Sequence, residues 1–291
     1  MAVSSQIHDL GYRSYDGERA GAGWAMRSLA LHSVRRALGL KRAARHKIAP
    51  ALAILISFLP AIVLAGAAAF LGGEIIPDLI GYGEYFNITG FAVFLFTASV
   101  APGVITTDRT NGMLAMYLAS PLTRTTYVIA RALGIFAVLL IVTVGPIVFL
   151  VLGYTFAGAG PDGIRGFIEV MARAIVAGTL AAALFTGIGV FISSIPRRWG
   201  IASLAIVGFM LISGGVAVGL TEGTNVSNWL AMASPGDVMG KASEHIMGDV
   251  SFTVAAFEDR SGAVVIAAAV GYTVISLVAA WWRYQHIEVE R

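Results

Sequence analysis

The sequence predicts an all-α polytopic membrane protein: six transmembrane helices preceded by a basic, amphipathic N-terminal helix at the interface. Composition is the first reason. The chain of 291 residues is 57% hydrophobic and only 13% charged, whereas soluble domains carry charge on about a quarter of their residues. The second reason is six apolar runs, each long enough for a crossing that consumes about 20 residues. The third is the placement of arginine, which recurs in alternate loops as expected of a chain threading a bilayer. There is no cysteine, which excludes a disulfide framework, a thiolate metal site and a cysteine nucleophile.

Residues 1–47 are basic and hold no spanning run. Arg27, Arg35, Arg36, Lys41, Arg42, Arg45 and Lys47 lie among Trp24, Leu31, Val34 and Leu38, a spacing that makes a cationic amphipathic helix suited to the headgroup plane. The segment is too long for a signal-peptide n-region, although Ala65-Gly66-Ala67 imitates a cleavage site. The remainder, 48–291, reads as six spans. The first covers 48–71, with Pro50 near its entry and Pro60 inside, where a kink is expected. The second covers 86–106 and carries Pro102. The third, 121–156, is longer than a bilayer needs and is bent at Gly145-Pro146. The fourth runs over 167–195 and is closed by Pro196-Arg197-Arg198-Trp199; the fifth and sixth cover 201–220 and 263–284.

Orientation follows from the Lys/Arg count of the short loops. The N-terminal segment, the stretch 108–131, the Arg197-Arg198 loop and the C-terminal tail hold nearly all the arginines, so they share the cytoplasmic face. The alternate loops hold Glu74, Asp78, Glu84, Asp162, Glu222, Glu244, Asp249, Glu258 and Asp259 against Arg165, Lys241 and Arg260. Both termini are therefore expected inside the cell.

The stretch 108–131 is a polar island between apolar runs. Met113, Leu114, Met116, Tyr117 and Leu118 recur at helical spacing. Asp108 is expected to cap this short helix, which spans 108–120, with Arg109 beside it. Ser120-Pro121 is expected to end it and to begin the next, Ser120 as N-cap and Pro121 at the first helical position, with Arg124 following. This pattern, from Asp108-Arg109 through Gly112 and Leu114 to Tyr117-Leu118-Ala119-Ser120-Pro121-Leu122-Thr123-Arg124 and then Arg131, resembles the cytoplasmic loop of permease subunits of type-2 ATP-binding-cassette (ABC) exporters. It departs from that pattern at Ala115, where the family often has Glu. The resemblance implies that the short helix is a coupling helix resting on a separate cytoplasmic ATPase. It further implies two ATPase copies that bind ATP and Mg, and a second permease, identical or related, enclosing a path lined mainly by the second and fifth spans. The loop 221–262 would cap that path outside, its Trp229-Leu230-Ala231-Met232-Ala233-Ser234-Pro235 apolar enough to dip into the interface.

Other features are weaker pointers. Glu169 and Arg173, four apart near the start of the fourth span, are the ionisable pair counted inside a span; they are read either as a snorkelled anchor or as a functional ion pair. Gly215 and Gly219 form a G-x-x-x-G pattern that serves helix packing in the bundle or a dimer contact. Gly158-Ala159-Gly160-Pro161-Asp162-Gly163 follows a membrane helix instead of a strand, and Gly236-Asp237-Val238-Met239-Gly240-Lys241 has the wrong spacing for a phosphate loop, with Ala242 behind it. Asn87 and Asn225 begin glycosylation sequons, relevant only in a eukaryote. The five histidines are scattered. The expectation is a permease subunit of an ATP-driven exporter in the bacterial inner membrane. It would move a lipid-like, amphipathic or drug-like substrate outward among membrane lipid, with no catalytic, metal or cofactor site of its own and no nucleic-acid partner. A secondary transporter and a non-transporting anchor or sensor are the alternatives.

Overall fold

The computed structural model describes residues 17, 20–40, 45–71, 80–222, 228–248 and 261–287. Among them are nine α-helices and one 3-10 helix: α1 (Ala22–Ala37), α2 (Arg45–Leu71), α3 (Glu84–Thr110), α4 (Met113–Leu118), α5 (Arg124–Phe156), α6 (Gly163–Ser193), α7 (Trp199–Glu222), the 3-10 helix Asn228–Ala233, α8 (Pro235–Met247) and α9 (Gly262–His286). Six of them, α2, α3, α5, α6, α7 and α9, are long and apolar enough to cross a membrane. Each falls on an expected span, and the ends differ by a few residues. The proline-bearing helices α2, α3 and α5 run on through Pro50, Pro60, Pro102 and Pro146.

Helices α3, α5 and α6 form the buried centre; α2, α7 and α9 flank it with much of their apolar surface outward. Outward Leu and Ile side chains on those flanks are what a lipid-facing wall requires, since hydrocarbon surrounds it in place of water. Helix α5 contacts α1, α2 and α6 along its length, and α6 in turn carries α9. These contacts are close because small residues face them. A Cβ added at Gly134 of α5 would overlap Ser33 Cβ of α1 and stand 2.9 Å from the Ala30 carbonyl oxygen. One added at Gly189 of α6 would meet Thr97 Cγ2 of α3 at 2.7 Å, and one at Gly153 would overlap Ala65 of α2.

The chain enters α5 differently from the sequence expectation. Thr123, not Ser120, is the N-cap: its hydroxyl accepts from the Thr126 N–H, and the Thr126 hydroxyl accepts from the Thr123 N–H. This reciprocal capping box satisfies two donors that a helix start otherwise leaves orphaned. Ser120 instead closes α4, donating both its N–H and its hydroxyl to the Tyr117 carbonyl. Helix α1 also departs from the expected single apolar face. Leu29, Ser33 and Ala37 are buried, and Val34 and Leu38 pack on the core, whereas Trp24 and Leu31 are exposed alongside Arg27 and Arg35.

At the end of the bundle opposite α4, the described part of 221–262 folds back as the 3-10 helix and α8, which packs against α3, α6 and α9. Ser234 caps α8 at the Asp237 N–H, and Pro235 takes the first helical position. Burial lifts the Asp237 carboxyl above the usual carboxylate range, against the lowering effect of the Ser234 hydroxyl. Glu244 is buried and accepts from Asn87 Nδ2 at 2.8 Å and from Lys241 Nζ at 3.0 Å. Asn87, a sequon residue by sequence, thus links α3 to α8. Asn225 lies outside the described residues.

Replacing Gly134 by Val should force α1 off α5 and cost about 1–3 kcal/mol, as overpacking does. Gly208→Ala, where an added Cβ meets nothing within 4 Å, should leave the thermal unfolding midpoint in detergent unchanged or raised. Equal midpoints for Gly134→Val and the unaltered chain would contradict the packing described.

Candidate functional site

The sequence holds one acidic residue, Asp108, between Glu84 and Asp162, with Arg109, Arg124 and Arg131 around it. The structure places Asp108 in the last turn of α3, fully buried, and not at the cap of α4. A carboxylate there meets the negative end of the helix dipole as well as the loss of water, so it requires cations. Two arginines supply them. Arg36 Nη1 from α1 donates to Asp108 Oδ1 at 2.7 Å, and Arg131 Nη2 from α5 donates to Oδ2. The Tyr127 hydroxyl donates to Oδ2 at 2.8 Å, and Arg131 Nη1 reaches the Ser33 hydroxyl at 2.7 Å. One carboxylate therefore joins α1, α3 and α5.

Aromatic rings sheath this group. The Arg131 guanidinium lies 5.1 Å from the Tyr117 ring centre and 5.5 Å from that of Tyr127, distances at which a cation is attracted to the ring face. Tyr127 also packs against Tyr284 of α9, centres 5.6 Å apart. Through Tyr117, α4 is connected to the charge cluster. The remainder of α4 is a platform: Leu114 is buried beneath it and Leu122 beyond its end, while Ala115, Met116, Ala119, Ser120 and Pro121 are exposed. Met116, 69% exposed, is its most prominent apolar side chain. Gly112 precedes α4 at φ +64, a left-handed conformation that favours glycine. It turns the chain sharply out of α3.

The other arginines of this end close helix termini. The final carbonyls of α6 lack partners within the helix, and Arg109 donates to the Ser194 carbonyl, where Arg283 Nε also donates at 2.9 Å. Thr106 and Thr110 of α3 donate to the Ser193 and Arg197 carbonyls at 2.9 Å and 2.5 Å. At the end of α9, Arg124 donates to the Tyr284 carbonyl at 3.3 Å and to that of Gln285. Cations at helix C-termini are favourable through the dipole. Arg109 and Arg124 are thus bound to the bundle and are not presented with α4.

Of the remaining sequence candidates, Glu169 and Arg173 form an i,i+4 ion pair on α6, with side chains 54% and 42% exposed, and Arg173 also donates to the Met247 carbonyl at 3.0 Å. They stand at the end opposite α4. Among the described residues, the buried acid and base of the membrane-length helices are Asp108 and Arg131, and not the pair Glu169 and Arg173 to which the sequence pointed. Arg36, Ser33 and Tyr127 join Asp108 through tertiary packing alone. The legible signal was the isolation of a single acid among arginines. Gly215 and Gly219 are exposed on α7, and a Cβ at either would meet nothing within 4 Å; among the described residues, neither packs closely against another helix.

A bundle with six membrane-length helices, a buried charge cluster at one end and a small helix exposed beside it defines a polytopic membrane protein. The chain belongs to the ABC-2 transporter family: the model described as ABC-2 family transporter protein matches residues 25–289. It is accordingly a transmembrane permease of an ABC transporter. No curated protein matches the chain.

Asp108→Ala leaves Arg36 and Arg131 buried without a counter-charge, and the expected cost is about 3–5 kcal/mol. Glu169→Gln removes an exposed pair and should cost about 0.5 kcal/mol or less. Thermal unfolding of the two variants in one detergent checks the contrast, and comparable midpoints would refute it.

Proposed function

We propose that this chain is the membrane subunit of an ATP-driven exporter, with α4 as the helix on which a separate ATPase rests. The observation that carries the reading is the α4 platform, exposed on its outer side and clamped behind by Tyr117, Tyr127, Arg131 and Asp108 to the ends of α3 and α5. Displacement of α4 by a partner would reach two membrane-length helices directly. In this reading the arginine-rich end, with both chain termini, lies in the cytoplasm. The exposed stripe of Trp24, Arg27, Leu31 and Arg35 on α1 meets lipid headgroups. ATP and Mg bind to two copies of the ATPase subunit and not to this chain.

The uncovered face of α7 at Gly215 and Gly219 supports a second permease, identical or related, packing there. The path would then lie between the two permeases beside α3 and α7, and α8 would close it on the outer side. The apolar character of these spans favours a lipid-like, amphipathic or drug-like substrate moved outward, and a bacterial inner membrane is the setting.

Purification by a C-terminal tag in mild detergent should bring down a nucleotide-binding subunit with vanadate-sensitive ATPase activity. Met116→Asp places a charge on the exposed face of α4 without touching the buried cluster, so it should reduce recovery of the ATPase about tenfold or more, a loss of about 1.4 kcal/mol or more, while the permease retains its unfolding midpoint. A chain that purifies alone and inert, or a Met116→Asp variant with full ATPase recovery and transport, would overturn the assignment of α4. Tyr117 is unsuited to the test, since its ring is part of the packing around Arg131.

A further inference from the structure

On the flank of the bundle formed by α5, α6 and α9 lies a cavity of about 390 Å³. Ile129, Leu133 and Phe136 of α5, Ala183 of α6 and Val278 of α9 supply apolar wall, and Trp281 and Thr125 stand at the end nearest α4. The polar atoms at that end are already engaged: Trp281 Nε1 donates to Thr125 Oγ1 at 3.0 Å, and Gln285 Nε2 donates to the same oxygen at 3.1 Å. Thr186 contributes to the wall, but its hydroxyl oxygen is withdrawn from the surface. Water held in a cavity needs two to four polar partners, and the one unpartnered hydroxyl here, that of Thr186, falls short of that.

Its volume admits about a dozen groups of the size of a water molecule or a methylene. Ile129, Leu133 and Val278 are 44%, 46% and 53% exposed, so the cavity opens sideways onto the wall that faces hydrocarbon in a bilayer. Trp281 and Trp282 beside Arg283 mark the level of the headgroup interface at its mouth. From Thr125 to Phe136 the wall descends eleven residues of helix, about 16 Å at the α-helical rise. We propose that this cavity is a binding site for one acyl chain of a membrane phospholipid, entered from the leaflet at the arginine-rich end. It lies on the flank of α5, α6 and α9, apart from the α3 and α7 side assigned to the path, and it does not depend on that assignment. The seated chain wedges between α5 and α9, where Thr125, Trp281 and Gln285 already tie the two helices together.

The test uses the purified full chain in detergent with a phosphatidylcholine bearing a diazirine on its acyl chain, followed by mass-spectrometric mapping of the adducts. Labelling at Ile129, Leu133 and Val278 should exceed several-fold that at Leu55 and Val63 of α2, which are 56% and 58% exposed, and excess unlabelled phosphatidylcholine should compete it away. Ala183→Phe fills the cavity from its floor, and Val278→Phe narrows its opening from the rim. Either variant that remains monodisperse should lose the enrichment. Labelling spread evenly over all exposed apolar positions would mean ordinary boundary lipid only and would overturn the proposal. Enrichment that persists in the filled variants, or that unlabelled lipid does not compete, would overturn it as well.

Discussion

A buried carboxylate at the negative end of a helix is tenable only with cations in contact, and at Asp108 that demand organises one end of the molecule. Arg131 comes from the next membrane-length helix in the chain, but Arg36 comes from a segment 72 residues earlier. The N-terminal helix is therefore held by a charge requirement that arises inside the bundle, reinforced by the close approach of Gly134 to Ser33. Buried ion pairs contribute little net stability against an apolar alternative, yet they are costly to break. Such a cluster defines an arrangement more than it strengthens one: α1, α3 and α5 meet where each oxygen of the Asp108 carboxylate has its own arginine.

The arginines of this end have a second use besides any bias in membrane orientation. Arg36 and Arg131 neutralise Asp108, while Arg109, Arg124 and Arg283 close the C-termini of α6 and α9. Part of the basic charge read from sequence as a topological label is thus turned inward onto backbone carbonyls. Among the described residues, Arg27, Arg35, Lys47, Arg197 and Arg198 remain exposed.

The six membrane-length helices were legible because apolar runs of that length have few other uses. The small helix after Asp108 was legible from its apolar spacing, but its boundaries were not. Asp108 looked like an N-cap since caps favour Asp before an apolar run; the actual turn is made by Gly112 in the left-handed region, and α3 continues through Thr110. Ser120-Pro121 looked like a helix start, yet Thr123 with Thr126 forms the stronger reciprocal cap. Local patterns could not disclose the charge cluster, because its members come from three helices and only tertiary packing brings Arg36 to Asp108. The role of Gly215 and Gly219 was open for the same reason: a small-residue motif states that a close approach is permitted, not which helix makes it.

Helix α5 has 33 residues and so is about 50 Å long, which exceeds the hydrocarbon thickness of a bilayer by more than half. Its near end is gripped by Asp108, and at its far end the Tyr154 ring lies 5.5 Å from that of Tyr82. Between the two, glycines bring α5 into close contact with α1 and α2. A tilt of the whole helix imposed at one end would emerge, enlarged by the length of the arm, beside the polar fittings of the other.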